Sequence, residues 1–230
     1  MAGRLLALLR AQPRLIVSLP QNARELAQAA ADAGADALKV HINVHHDASG
    51  THFGTLAEER ANLESILEVG LPTGIVPGVA ASLPSREDMA ELARMGVDFF
   101  DLYDHDMPLW MLEIEDLTRT VAASSSTSLD SVKEFESMGF EMVEGAIIPH
   151  EGYGQMLSAA DLAAYRRLRQ MTALPIIVPS QRAMRPDDVP ALLATGMDAV
   201  MIGAIVTGRE TQQLRAATQE FAGALAAAIS

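Results

Sequence analysis

Short apolar runs alternate with amphipathic stretches eight times along this chain, with no obvious linker between them. The strand candidates begin near Leu15, Asp36, Thr73, Asp98, Thr118, Phe140, Pro175 and Asp198, each of strand rather than helix length. Between them lie helical patterns at Asn22 to Ala33, Leu56 to Val69, Arg86 to Met95, Leu129 to Met138, Ala159 to Met171 and Asp187 to Thr195. A weaker pattern surrounds Leu109 to Glu115, and the alanine-rich tail Leu214 to Ala228 supplies the eighth helix. Several helical stretches end in glycine, at Gly34, Gly70, Gly96, Gly139 and Gly196, as helix C-termini commonly do. Eight strand–helix units predict an α/β fold, a (β/α)8 TIM barrel occupying residues 1–230 as a single domain. A doubly wound open sheet has the same periodicity and is the alternative.

The 230 residues are 49% apolar, enough to bury such a core, and contain no cysteine, which removes disulfides, thiolate nucleophiles and Cys-ligated zinc. A net charge of −13 repels nucleic-acid backbones and anionic lipid, so neither is expected as a partner. The opening Leu5-Leu6-Ala7-Leu8-Leu9, bracketed by Arg4 and Arg10, is too short to span a bilayer. It reads as a short amphipathic helix closing the barrel floor, with a clipped signal peptide as the lesser alternative. A cytoplasmic protein is expected, and a homo-oligomer is compatible with the sequence.

Residues 174–208 point to a ligand. Pro175 to Val178 ends in the polar loop Ser180-Gln181-Arg182, and Ala199 to Ile202 ends in Gly203-Ala204, which opens a helix. Both loops fall at one end of the sheet. Glycine allows backbone N–H groups to approach an anion, and a helix N-terminus favours negative charge. In parallel barrels, the loops after strands seven and eight often form a phosphate site. Ser180, Arg182, Gly203 and Ala204, with Ser18 at the end of the first strand, are therefore candidate contacts for a small phosphorylated substrate.

The second strand carries chemistry. In Ala37-Leu38-Lys39-Val40-His41-Ile42-Asn43-Val44, apolar residues alternate with Lys39, His41 and Asn43, so a barrel that receives the apolar set on its helix side sends the polar set inward. A buried ammonium requires an anion. Asp101, Tyr103 and His105 alternate on the fourth strand and Glu144 ends the apolar half of the sixth. Lys39, His41, Asp101 and Glu144 are the candidate catalytic groups, with Asn43 and Tyr103 as binding residues. A carboxylate takes a proton, a second group returns it, and a cation steadies the developing oxyanion.

Other polar clusters read differently. His45-His46-Asp47 with His52 matches no specific metal-ligand spacing and is read as a mobile lid, so no metal is expected. His150 to Gly154 suggests a loop able to close over a ligand. Ser124 to Ser128 is read as helix-capping hydroxyls. No motif calls for a cofactor.

The chain resembles the ribulose-phosphate-binding barrels and is most similar among them to N-acetylmannosamine-6-phosphate 2-epimerases. The likeness rests on Leu15-Ile16-Val17-Ser18, Gly34-Ala35 with Leu38-Lys39, Leu71-Pro72 with Gly74-Ile75-Val76, and Ser126-Thr127-Ser128-Leu129. It continues through Gly152-Tyr153, Leu174-Pro175-Ile176-Ile177 and Gly203-Ala204-Ile205. The resemblance implies the barrel, a sugar phosphate and proton-transfer chemistry. It also implies a lysine just after the third strand and a glutamate ending the seventh, where this chain has Val76-Pro77-Gly78 and Val178-Pro179-Ser180-Gln181; Lys39 stands where the family has arginine. The combined expectation is an isomerase or epimerase using Lys39, His41, Asp101 and Glu144. A carbon–carbon lyase using Lys39 as Schiff-base nucleophile and a non-catalytic phosphometabolite-binding barrel are the alternatives.

Overall fold

Three Gly-X-Asp triplets, Gly34-Ala35-Asp36, Gly96-Val97-Asp98 and Gly196-Met197-Asp198, show how the chain turns from helix to strand. Each glycine adopts positive φ (100°, 103° and 90°), ending the helix before it. Each aspartate then accepts backbone N–H groups at the bottom of the sheet: Asp36 from Leu15, Asp198 from Ile176, and Asp98 from Arg4 and Leu5. The acceptors thus fasten neighbouring elements to one another.

The computed structural model describes residues 3–230. Eight parallel strands close in the order β1 (Arg14–Ser18), β2 (Ala37–His41), β5 (Thr73–Val76), β6 (Phe99–Tyr103), β7 (Thr118–Ser124), β8 (Met142–Ala146), β9 (Ile176–Pro179) and β10 (Ala199–Ile202), with β10 pairing back to β1. Closure shows the TIM barrel and rules out the open sheet. Helices α2 (Arg24–Asp32), α3 (Leu56–Leu67), α4 (Arg86–Met95), α5 (Leu129–Glu134), α6 (Ala159–Met171), α7 (Val189–Leu193), α8 (Ala204–Thr207) and α9 (Thr211–Ile229) follow the strands. Thr55, Ser85 and Ser158 start α3, α4 and α6 with reciprocal capping boxes. The weak fourth pattern becomes a 3-10 turn, Leu109–Glu113.

Two apolar cores result. One fills the space between strands and helices, and the other fills the barrel's lower interior. There Leu5, Leu6 and Leu9 of the first helix, α1 (Arg4–Ala11), pack on the inward Ile16, Ala37, Phe99, Met142, Ile177, Ala199 and Met201. Burial of one such leucine contributes ~1.5–3 kcal/mol. Gly74 makes room for this layer, since a Cβ there would lie 2.0 Å from the Phe99 ring. With the bottom plugged, the polar inward residues are left at the top.

The second strand is shorter than its alternation predicts. It ends at His41, Asn43 turns the chain with φ of 55°, and Val44–His46 (β3) pairs antiparallel with Thr51–Phe53 (β4). Asparagine tolerates this left-handed backbone better than most residues.

Candidate active site at the barrel mouth

Lys39, Asp101 and Glu144 meet inside the barrel, on β2, β6 and β8. The Lys39 Nζ donates to Asp101 Oδ2 at 2.8 Å and to Glu144 Oε2, and all three side chains are buried. Register explains the convergence: Asp101 lies beside Thr120, and Glu144 beside Ala122, on the one strand that separates them. Their carboxyls come within hydrogen-bonding reach across it.

The electrostatics separate the two acids. Burial, reinforced by the Asp101 charge, raises Glu144 well above the ordinary carboxyl range. Burial also disfavours ionised Asp101, but the Lys39 charge and hydrogen bonding with Glu144 and Lys39 together outweigh it and hold the pKa low. For Lys39, burial alone would lower the pKa; the charges of Asp101 and Glu144 reverse that and raise it. The pocket thus keeps Lys39 an ammonium and biases its two partners in opposite senses, Asp101 towards the ionised form and Glu144 towards the protonated one. Asp101 Oδ1 is buried with no hydrogen-bond partner among the described residues, and a protonated Glu144 would supply the donor it lacks.

Above the triad lies a cavity of about 250 Å³ lined by Ser18, Lys39, His41, Asp101, Tyr103 and Glu144, with Tyr153, Ser180, Gln181, Gly203 and Ala204 among its other walls. His41 is fully enclosed, its ring 4.5 Å from that of His46 and 4.8 Å from Phe53. Burial, His46 and Lys39 together push its pKa well below the usual imidazole value, so it is neutral, and its Nδ1 has no partner among the described residues. Ser180 Oγ accepts the Gly203 N–H at 2.8 Å. Of the backbone donors in this corner, that one is already engaged, which leaves the first N–H groups of α8 for a ligand.

The structure brings together Lys39, His41, Asp101, Glu144, Ser18, Tyr103, Ser180, Gly203 and Ala204. Two expected residues are elsewhere. Asn43 does not follow Lys39 and His41 inward, because the turn it makes aims its Nδ2 at the Pro77 carbonyl, 3.0 Å away. Arg182 does not line the cavity: its guanidinium pairs with Asp161 at 2.9 Å and donates to the Gly152 carbonyl. His105 is exposed and stacks on Tyr103. Ser128 caps α5 as expected.

The histidine loop is the β3–β4 hairpin, with His45, His46 and Asp47 at the cavity rim. No three His, Asp or Glu side chains converge on a metal position among the described residues. Across the mouth, His150 Nε2 approaches Asp47 Oδ2 at 3.5 Å. Sequence reasoning left Gln181 and Tyr153 out of the site; the local cue was a polar residue after a strand end and an aromatic between two glycines, neither of which shows their mutual contact.

The fold and this mouth define the class: a TIM-barrel protein with its candidate site at the C-terminal ends of the strands. Among solved structures, the chain is similar to a thiamine phosphate pyrophosphorylase from Pyrococcus furiosus, with 18% identity, a TM-score of 0.67, and 96% of this chain and 100% of that one covered. It is similar to tryptophan synthase from Mycobacterium tuberculosis, with 18% identity, a TM-score of 0.76 and coverage of 98% and 99%. A structure from Aquifex aeolicus VF5 matches at 11% identity and a TM-score of 0.70, with coverage of 98% and 99%. No family model and no curated protein matches the chain. At these identities the likeness is one of fold and selects no activity.

Proposed function

We propose that the barrel binds a small phosphorylated metabolite, a sugar phosphate, and isomerises it by acid–base proton transfer. The observation that carries this reading is the Lys39–Asp101–Glu144 triad on the cavity floor, in which two carboxyls have pKa values pushed in opposite directions. Such a pair supplies a base and an acid at one pH. Asp101 removes the proton beside a carbonyl, the electron pair moves onto the carbonyl oxygen, and Lys39 stabilises the oxyanion. Glu144 delivers its proton to the former carbonyl carbon, and the hydroxyl proton of the adjacent carbon passes to the oxyanion, so that the carbonyl now stands on that carbon. The proton then on Asp101 passes back to Glu144 through their contact, which restores the starting state.

The adjacency of the two acids favours a 1,2-shift on one face of the substrate over epimerisation, which requires acid and base on opposite faces of one carbon. The lyase reading draws no support from Lys39, because a Schiff-base amine needs a lowered pKa and both carboxyls act in the other direction. Support for the phosphate comes from Ser18, Ser180 and the Gly203-Ala204 start of α8 at one wall. One structural neighbour is named for a phosphate ester.

The test incubates the purified protein with aldose and ketose phosphates in deuterated water and follows carbon-bound hydrogen by NMR. Exchange is expected with phosphorylated sugars and not with their unphosphorylated counterparts. Phosphorylated ligands alone should raise the melting temperature, since a ligand at 100 times its Kd adds ~2.7 kcal/mol. Stabilisation without exchange would leave the non-catalytic binding barrel; neither effect would discard the reading.

A further inference from the structure

Gln181 is buried and its amide is saturated. Its Oε1 accepts the Ile148 N–H at 3.1 Å, while its Nε2 donates to the Ala146 carbonyl at 3.1 Å and to Tyr153 Oη at 2.6 Å. The two backbone partners have fixed polarity, so the amide cannot be turned around without placing oxygen against oxygen and N–H against N–H. Tyr153 Oη must therefore accept from Gln181. Its own proton points away from that amide and has no acceptor in a hydrogen bond among the described residues. The side chain forms part of the cavity wall, held by ring contact with His150 at 4.9 Å.

The neighbouring phenol does not remove this donor. Tyr103 stands on β6 two residues after Asp101, on the same inward face, and its hydroxyl lies close to that of Tyr153. Burial, with Tyr153 beside it, raises the Tyr103 pKa. With the Gln181 amide unable to accept, the Tyr153 proton is left for the cavity.

We infer that Tyr153, oriented by Gln181, donates a hydrogen bond to a ligand oxygen above Asp101 and Glu144, so that the substrate carries a carbonyl or carboxylate oxygen there. Tyr153 is then a catalytic residue that shares the developing oxyanion with Lys39, and Gln181 is a positioning residue. The assignment rests on the proton-transfer reading above. It adds to that reading the chemistry of the acceptor and the residue that recognises it. A phenol that accepts a hydrogen bond is a stronger donor than an isolated one, because the accepted bond polarises the next.

Calorimetric titration with two probes tests it. 2-Phosphoglycolate carries a planar carboxylate like the oxygens of an enediolate, and glycerol 3-phosphate offers the same phosphate without it. Wild-type protein should bind 2-phosphoglycolate more tightly. Tyr153→Phe should weaken 2-phosphoglycolate at least tenfold and leave glycerol 3-phosphate within twofold. Thermal melting of each variant, expected within a few degrees of wild type, reports on folding. Unchanged 2-phosphoglycolate binding in Tyr153→Phe, or an equal loss of both probes, overturns the assignment to Tyr153 and leaves the phosphate reading intact. A wild-type protein that binds neither probe overturns both.

Discussion

Lys39 sits with 5% exposure between a carboxyl biased towards ionisation and one biased towards protonation, and its removal has two separable consequences. Lys39→Met keeps much of the side chain's bulk but leaves the Asp101 carboxylate buried without its cation, a loss of ~3–5 kcal/mol. Adding Asp101→Asn should restore most of that stability, read by urea unfolding, without restoring hydrogen exchange. A Lys39→Met protein with wild-type exchange would remove the lysine from the mechanism. The pH dependence follows from the same three groups. Asp101, with a lowered pKa, contributes stability and a base above the ordinary carboxyl range, and both are lost as pH falls through its depressed value. Glu144, with a raised pKa, is stabilising and acidic below its ordinary value, and that contribution is lost as pH rises through the elevated one. The exchange rate should thus be bell-shaped, its acid limb below 3.8 and its alkaline limb well above 4.5. The apparent values belong to the pair rather than to either residue. An alkaline limb near the ordinary Glu value would contradict a protonated Glu144.

The β3–β4 hairpin is the element whose stability should respond most to acid. His46 packs against His41 and bonds Ser49 through Nδ1 at 2.9 Å. Burial, with Lys39 nearby, lowers His46 to about 4 and His41 further below 6.5. Lowered folded values mean that the unfolded chain takes up these protons first, so stability present above pH 6.5 declines as pH falls towards 4. His46 alone accounts for up to ~3 kcal/mol, because each tenfold loss of proton affinity on folding is worth about 1.4 kcal/mol. Urea unfolding should show this loss, and His46→Phe should reduce it; an identical decline in the variant would place the acid sensitivity elsewhere. The hairpin also marks where the sequence stopped being legible. Lys39 and His41 could be aimed inward from period two alone, and Asp101 and Glu144 from their places on later strands. The same period continues through Asn43 and Val44, and nothing local distinguishes the strand from the hairpin that follows. Arg182 was misplaced for a related reason: its choice of Asp161 over the cavity is decided by a contact 21 residues distant in sequence. Gln181 and Tyr153 are joined across 28 residues by a bond that the pairing of β8 with β9 makes possible.

At the scale of the whole molecule, the charge works against the proposed ligand. With 17 basic and 30 acidic residues, the protein carries −13 at pH 7. Lys39 is the one lysine or arginine among the residues that line the cavity, and Asp101 already neutralises it. A phosphorylated sugar therefore approaches a negative surface and is held, once inside, by hydroxyls and helix-end N–H groups whose reach is short. Repulsion over distance and attraction only at contact make a distinct kinetic signature. The Debye length shrinks from ~30 Å at 0.01 M salt to ~8 Å at 0.15 M, which screens the repulsive approach while leaving the contacts inside the cavity largely intact. The association rate of a phosphorylated ligand, followed by stopped flow, should therefore rise a few-fold across that range and its dissociation rate should change little. An unphosphorylated sugar should show no such rise. An association rate that instead falls with added salt would mean that cations guide the ligand in, and the phosphate would then have to bind away from the Ser18, Ser180 and Gly203 wall.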